Sequence, residues 1–260
     1  MNEMFDLTGR VVVVTGGNGG IGLGMAEGLA RAGATVSIWG RNAEKNERAR
    51  LQLAELAGPV EARICDVTDR ASVEAAFQAT LAAHGRVDGC FANAGISGGG
   101  RRMFLDRTEE EWRRMFATNL DGAFHTFQVV GRHMKERAEA GDPFGRLVAT
   151  SSMAALWGTA GAEHYAATKA GLNALVRALA VELARYGVTA NAILPGWIRS
   201  DMTERLRSNE KFVANVLPRT PARRFGEPND FAGIAVYLMS GASSFHTADC
   251  LVIDGGYTAY

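Results

Sequence analysis

Arg10-Val11-Val12-Val13-Val14-Thr15-Gly16-Gly17-Asn18-Gly19-Gly20-Ile21-Gly22 carries the signal from which the fold class follows. Four consecutive valines without polar alternation predict a strand buried on both faces, as in a parallel sheet covered by helices. Leu23 to Ala32, rich in Leu, Ala and Met and closed by Gly33, predicts the helix that follows. Between them, five of the seven residues from Gly16 to Gly22 are glycine, more than a plain strand-to-helix turn requires. Taken from Gly17 the run fits Gly-x-Gly-x-x-Gly, and from Thr15 it fits Thr-Gly-x-x-x-Gly-x-Gly. Glycine lets backbone adopt positive φ and approach a phosphate closely. The helix start beyond it presents unpaired N–H groups and a positive dipole end to an anion.

The same alternation continues outward. Thr35–Trp39, Glu61–Cys65 and Val87–Phe91 read as strands, with helices over 43–57 and 71–84 between them. Gly40 stands where an acid would hold an adenosine ribose 2′-hydroxyl, and Arg41 follows it. A missing carboxylate removes repulsion of a 2′-phosphate, and arginine can pair with that phosphate; NADP(H) is therefore favoured, with NAD(H) possible. Asp66 either caps its own turn or contacts an adenine amino group, and Thr68 or Asp69 caps the next helix. Ala92-Asn93-Ala94-Gly95 keeps the end of the fourth strand small, where such sheets bind ligands.

The loop 96–107 contains Arg101 and Arg102, as solvated charges or as an anion contact. Thr108-Glu109-Glu110-Glu111 has the form of a capping box at the head of one long helix running toward Met134. Asn119 interrupts its apolar face and needs partners, either neighbouring backbone or a water. A polar connection over 136–144 leads to a fifth strand, Arg146–Thr150, which delivers Ser151 and Ser152. Val188–Leu194 and Cys250–Ile253 read as the last strands, and 197–224 as an irregular lid with short helical patterns. The whole corresponds to one doubly wound α/β domain over 1–260, a Rossmann-type sheet of about seven parallel strands with helices on both faces.

Tyr165 and Lys169 lie one helical turn apart on one face. A free phenol has a pKa near ~10. A nearby ammonium is expected to lower it by roughly 1–3 units, making a proton donor and acceptor usable near neutrality. In isolation the pair would be a half-buried Tyr and a solvated Lys.

Composition bounds the alternatives. The 28 basic and 28 acidic residues cancel, so no field draws nucleic acid or anionic membrane. No run approaches the ~20 apolar residues of a membrane span, and the acidic start Met1–Asp6 lacks the features of a secretory signal. Cys65, Cys90 and Cys250 fit no zinc spacing and the five histidines show no ligand-like pairing. They are expected to be buried, reduced thiols in a cytoplasmic protein with no metal.

Thr15-Gly16-x-x-x-Gly20-Ile21-Gly22, Asn93-Ala94-Gly95, Asn119, Ser152, Tyr165-x-x-x-Lys169, Pro195-Gly196 and Asp254-Gly255-Gly256 together resemble the short-chain dehydrogenase/reductases over nearly the whole chain. Ser152, thirteen residues before Tyr165, has the family's spacing and is chosen over Ser151. The resemblance implies an oxidoreductase moving hydride between a nicotinamide cofactor and a carbonyl or secondary alcohol of a small substrate. Tyr165 would be the proton donor or acceptor, Ser152 the hydrogen-bond partner of the substrate oxygen, Lys169 the group that lowers the Tyr165 pKa and holds the ribose, and Asn119 the anchor of a water.

By the same resemblance Gly16, Asn18, Gly20, Ile21, Gly22, Arg41, Asp66, Val67, Asn93, Ala94, Gly95, Tyr165, Lys169, Pro195, Gly196, Ile198 and Ser200 line the cofactor. A homotetramer is implied, through the long helices and the last strand. Leu23-Gly24-Met25-Ala26 and the ending Gly255–Ala259 look like sugar-acid and polyol dehydrogenases. The long 136–144 connection is unlike typical 3-oxoacyl-carrier-protein reductases. That reductase stays an alternative, with Arg101, Arg102, Arg113 and Arg114 as a docking patch, as does a non-catalytic nucleotide sensor. Ser200 stands where relatives carry Thr, Gly19 lacks the basic residue of many NADP-dependent members, and Ala248 replaces a usual glycine.

Overall fold

The computed structural model describes residues 3–56, 58–98 and 103–259. In chain order it contains β1 (Val11–Thr15), α1 (Gly20–Arg31), β2 (Thr35–Gly40), α2 (Ala43–Ala54), β3 (Val60–Ile64), α3 (Arg70–His84) and β4 (Gly89–Ala92). Then come α4 (Glu109–Phe116), α5 (Gly122–Glu139), β5 (Gly145–Thr150), α6 (Glu163–Leu183), β6 (Val188–Pro195), α7 (Asp201–Arg207), α8 (Glu210–Val216), α9 (Ala232–Met239) and β7 (Cys250–Ile253). The seven strands form one sheet in the order β3-β2-β1-β4-β5-β6-β7, every pair parallel. The direction of winding reverses between β1 and β4, so a crevice opens beyond their C-terminal ends.

Side chains alternate across the sheet, as a strand's period of two requires. Val13, Cys90, Leu147 and Ala190 face a core closed by Phe77 of α3, Phe127 and Val130 of α5, and Leu172 and Val176 of α6. Val12, Val14, Phe91, Val148 and Ile193 face the other, closed by Met25 and Leu29 of α1, Leu53 of α2, and Leu238 of α9. The glycines of α1 set how closely it packs: a Cβ at Gly24 would lie 2.0 Å from the Pro228 carbonyl oxygen. At the opposite end of the sheet, fully buried Asp88 accepts from the Val11 amide at 2.9 Å and from Arg86 at 2.6 and 2.8 Å. Arg10 and Arg137 lie 3.3 and 3.1 Å away. This polar knot closes the bottom of β1 and β4, far from the crevice.

Several expectations need correction. The long helix from Thr108 does run past Met134, but its α-helical pattern is interrupted by a π-helical turn, Ala117–Asp121, between α4 and α5. Helix α5 extends to Glu139, into the stretch read as a polar connection. Cys65 and Cys90 are buried free thiols, but Cys250 is partly exposed because β7 is the edge strand. The helix read over 43–57 ends at Ala54, and Ala57 lies outside the described residues, as do Arg101 and Arg102. Asp69, not Thr68, caps α3, accepting from the Ala71 amide at 2.9 Å. Among the described residues no helix is long and apolar enough to cross a membrane, and no His/Cys/Asp/Glu group is arranged to hold a metal ion.

Ala248, in the position of a usual glycine, has φ 66°. A Cβ in the left-handed region costs roughly 1–2 kcal/mol. Ala248→Gly should therefore raise the unfolding free energy by about 1 kcal/mol in urea titration, part of the gain being offset by the freedom of the unfolded glycine chain.

Candidate active site

The crevice begins at the glycine turn. Gly16 and Gly20 have φ 65° and 52°, conformations that glycine adopts without steric cost. No side chain caps the start of α1, and a Cβ at Gly19 would meet nothing within 4 Å. The turn thus presents open backbone outward. Behind it the packing is tight: a Cβ at Gly22 would lie 2.3 Å from the Gly16 carbonyl oxygen and 2.4 Å from Asn93 Nδ2. Asn93 ties the turn to β4, donating to the Thr15 and Gly16 carbonyls at 3.1 and 3.3 Å. The Thr15 hydroxyl accepts from the amides of Asn93 and Ala94, both at 3.0 Å. Asn93 and Ala94 therefore brace the turn from behind, and Ile21 packs beside the α1 core.

At the end of β2, Arg41 is 63% exposed and 3.7 Å from Asp66. Asp66 caps its own turn: its Oδ1 accepts from the Thr68 amide at 3.0 Å and the Thr68 hydroxyl at 2.8 Å. Burial alone would raise its carboxyl, but the Thr68 bonds and the Arg41 charge hold it below the usual carboxylate range. Val67 is buried against Gly122. Asn18 turns away from the outer face and donates to Asn46 at 2.6 Å.

The far end of the crevice lies where β5 ends beside α6. Ser151 and Ser152 divide their roles by facing opposite ways. The Ser151 hydroxyl donates to the Lys169 carbonyl at 2.9 Å, whereas the Ser152 hydroxyl accepts from the Ala154 amide at 3.1 Å and stands near enough to the Tyr165 phenol to act on its pKa. The Lys169 Nζ donates to the Thr150 carbonyl at 2.7 Å and lies 5.6 Å from the centre of the Tyr165 ring. A Cβ at Gly95 would come 3.2 Å from Asn119 Oδ1 and 3.6 Å from Lys169 Nζ, so the glycine keeps that space free.

Asn119 sits in the π turn, 1% exposed. Its amide clasps the backbone of Ile96, accepting at 2.8 Å and donating at 2.9 Å, with Met115 Sδ at 3.0 Å. The side chain bonds neighbouring backbone, one of the two kinds of partner expected of it, and its Oδ1 also borders the space that Gly95 leaves free beside Lys169 Nζ.

The electrostatics differ from expectation. Burial raises the Tyr165 phenol above its ordinary value, and only the nearby Ser152 hydroxyl opposes this. Lys169 is itself pushed down to about 8 by burial. Lys169 is not among the groups that act on the Tyr165 phenol in the protein alone. Burial disfavours the charged form of each group, more completely for Lys169, which is 4% exposed, than for the partly exposed Tyr165, and the ammonium is directed at the Thr150 carbonyl.

The segment that follows β6 reaches the glycine turn. Pro195 ends β6, and a Cβ at Gly196 would lie 2.6 Å from the Asp254 Cβ. Ile198 is buried and forms a parallel bridge with Gly226. The Ser200 Cβ stands 3.3 Å from the position a Gly20 Cβ would take, so the start of α7 crosses the glycine turn. Asp201 then reaches Lys45 of α2 at 2.6 Å. Within this segment Trp197 meets Phe212 edge-on at 4.9 Å, and outside it Tyr257 at 6.4 Å, with Trp157 at 5.6 Å from Tyr257. A separate cavity of about 270 Å³ is lined by Ile198, Arg224, Asp230 and Asp254 among others; none of Ser152, Tyr165 and Lys169 lines it. Sequence reasoning missed Asn46 and the Thr150 carbonyl, the first because it reads as a helix-surface residue, the second because a carbonyl has no sequence signature.

Residues 16–258 match the family model described as enoyl-(acyl carrier protein) reductase. The 3-oxoacyl-[acyl-carrier-protein] reductase FabG of Chlamydia pneumoniae is 38% identical over 253 residues, covering 97% of this chain and 98% of that relative. The gluconate 5-dehydrogenase of Gluconobacter oxydans is 35% identical, covering 98% and 97%. A crystal structure of a gluconate 5-dehydrogenase from Burkholderia cenocepacia, in complex with NADP and tartrate, superposes with a TM-score of 0.90 at 33% identity, covering 99% of this chain and 98% of that one.

The depressed Lys169 pKa has a testable consequence. Between pH 8 and 10.5 the unfolded chain still binds the Lys169 proton while the folded protein releases it, so stability rises with pH across that window. Below pH 8 the burial penalty is present in full, about 3 kcal/mol at roughly 1.4 kcal/mol per pKa unit. Lys169→Met should be more stable than wild type at pH 7 by on the order of 2 kcal/mol, after loss of the Thr150 bond. That advantage should vanish by pH 10.5. A pH-independent difference in urea midpoints would refute the assignment.

Proposed function

The chain belongs to the short-chain dehydrogenase/reductase family, and from that premise we propose that it is an NADP(H)-linked oxidoreductase acting on a sugar acid, polyol or related ketone. One observation carries the reading: Tyr165 stands one helical turn from the buried Lys169, whose Nζ lies 5.6 Å from its ring centre, beside Ser152 at the end of β5 and of a crevice that starts at an uncapped, glycine-lined helix. The open glycine turn fits a pyrophosphate. Arg41, beside a position 40 without a side chain, fits a 2′-phosphate. When bound, the nicotinamide supplies or accepts the hydride.

The chain's own residues do the rest. Tyr165 gives its proton to a carbonyl oxygen in reduction and takes one from an alcohol in oxidation. Ser152 directs a hydrogen bond to the same oxygen and steadies its developing charge. Lys169 supplies positive potential and donors on the crevice floor. Asn119, by clasping Ile96, fixes the loop that borders this floor. The segment 197–224 acts as a lid, and the chain works as one functional unit. Gluconate dehydrogenase relatives support a polyhydroxylated acid as substrate. The family's habit supports a cytoplasmic homotetramer.

The carrier-protein reductase relative supports a second reading, a 3-oxoacyl thioester reductase. Its docking patch is weakened by acid: Arg113 pairs with Glu109 at 2.6 Å, next to Glu110 and Glu111.

Coenzyme-linked absorbance with a panel of sugar acids, polyols, ketones and 3-oxoacyl thioesters tests both. Sugar acids or their keto forms should give the highest kcat/KM, and thioesters turned over tenfold better, or about 1.4 kcal/mol, would reverse the order. Tyr165→Phe should lower kcat by roughly 10²–10⁴-fold, the range of one general acid–base group, with coenzyme Kd unchanged. Turnover that survives this substitution refutes the assignment of Tyr165.

A further inference from the structure

The end of β2 holds a buried amide network that no feature of the proposed reaction explains. Asn46, on the first turns of α2, is 3% exposed. Its Nδ2 donates to the Gly40 carbonyl at 2.8 Å and to the Arg63 carbonyl at 2.9 Å, joining the ends of β2 and β3. Two carbonyl acceptors fix which way the amide faces, so Oδ1 must point back, where it accepts from Asn18 Nδ2 at 2.6 Å. Asn18 belongs to the glycine turn. One buried side chain therefore links the turn that would receive the pyrophosphate to the strand end beside Arg41.

This pair occupies the space of any side chain at position 40. A Cβ on Gly40 would lie 2.4 Å from Asn18 Nδ2 and 2.5 Å from Asn46 Oδ1. Asn18, half-buried on a turn, could swing aside. Asn46 cannot rotate away without leaving two buried carbonyls short of a partner. A carboxylate at position 40 would also face the acceptor oxygen of Asn46, oxygen against oxygen.

We infer that Asn46, acting through Asn18, is a positioning residue for coenzyme selection: it keeps position 40 bare and holds the Gly40-Arg41 turn where a 2′-phosphate is read. The preference is then built into the packing behind the turn, and Arg41 alone does not decide it. The inference rests on the dinucleotide reading above and extends it.

The test is equilibrium titration of the full chain with NADPH and with NADH, followed by coenzyme fluorescence, so that turnover is not needed. Gly40→Asp, the change that should create an NADH site if position 40 were free, is expected to weaken NADPH at least tenfold without tightening NADH. Gly40→Asp with Asn46→Ala, which removes the opposing oxygen, should then bind NADH at least tenfold more tightly than Gly40→Asp does, the order expected for one charge-assisted hydrogen bond to a ribose hydroxyl.

Asn46→Leu, of similar volume, serves should the double variant fail to fold. It should lower the ratio of NADH to NADPH dissociation constants about fivefold or more, whereas a purely structural defect would weaken both coenzymes alike. Gly40→Asp turning to NADH unaided, or an unchanged ratio in Asn46→Leu, would overturn the assignment and leave the dinucleotide reading intact. Wild-type protein that bound neither coenzyme would overturn both.

Discussion

A lysine ammonium withdrawn from water with a carbonyl for its partner is the constraint around which this molecule is arranged. Lys169 is 4% exposed, and its Nζ bonds the Thr150 carbonyl. A buried charge normally has a counter-ion, because desolvation is costly. Here the neighbourhood supplies dipoles instead. The Ser151 hydroxyl fastens the Lys169 backbone to the end of β5, Gly95 keeps the approach to Nζ free of side chains, and Asn119 holds the Ile96 loop behind it. A one-residue slip of α6 against β5 would rotate Lys169 into the core and carry Tyr165 away from Ser152. The register of that packing is the condition for any chemistry.

The protein alone is consequently poised away from the charge state the pairing of Tyr165 and Lys169 suggests. Burial favours the neutral phenol and depresses the lysine together. Both shifts have one cause, low dielectric, and both diminish when opposite charge or hydrogen bonding enters the crevice. An anionic ligand would favour the ammonium, and a stronger ammonium would in turn favour the phenolate. The site's electrostatics therefore depend on ligation, and sequence spacing alone could not have fixed the sign of either shift.

What sequence revealed follows the same division between pattern and environment. The seven strands and their parallel arrangement were legible because four valines, a glycine turn and repeated strand-helix alternation are local signals. The choice of Ser152 over Ser151 came from the resemblance to the family's spacing; the residues themselves could not tell that Ser151 would bond the Lys169 carbonyl and Ser152 the Ala154 amide. The break at Asn119 was illegible, since a π turn has the same residue content as the helix around it. Asn46 was illegible for another reason: on a charged helix an Asn reads as solvent-facing, and only the fold shows that its face meets the ends of β2 and β3. Cys250 looked buried because its strand is apolar, whereas edge position is a property of topology.

The two ends of the crevice also differ in the kind of contact that holds them. At the coenzyme end, the amides of Asn18, Asn46 and Asn93 bond main-chain carbonyls or one another at close range. At the substrate end the lid rests on aromatic contacts among Trp197, Phe212, Tyr257 and Trp157, which are nondirectional and can shift without losing a hydrogen bond. The clasp between Lys45 and Asp201 is exposed on both sides, and such a pair contributes roughly 0–1 kcal/mol. A contact of that strength holds the 197–224 segment only weakly to α2. The buried amides, by contrast, tie the glycine turn and the Gly40-Arg41 turn to one another through hydrogen bonds that cannot shift without leaving main-chain carbonyls unpaired.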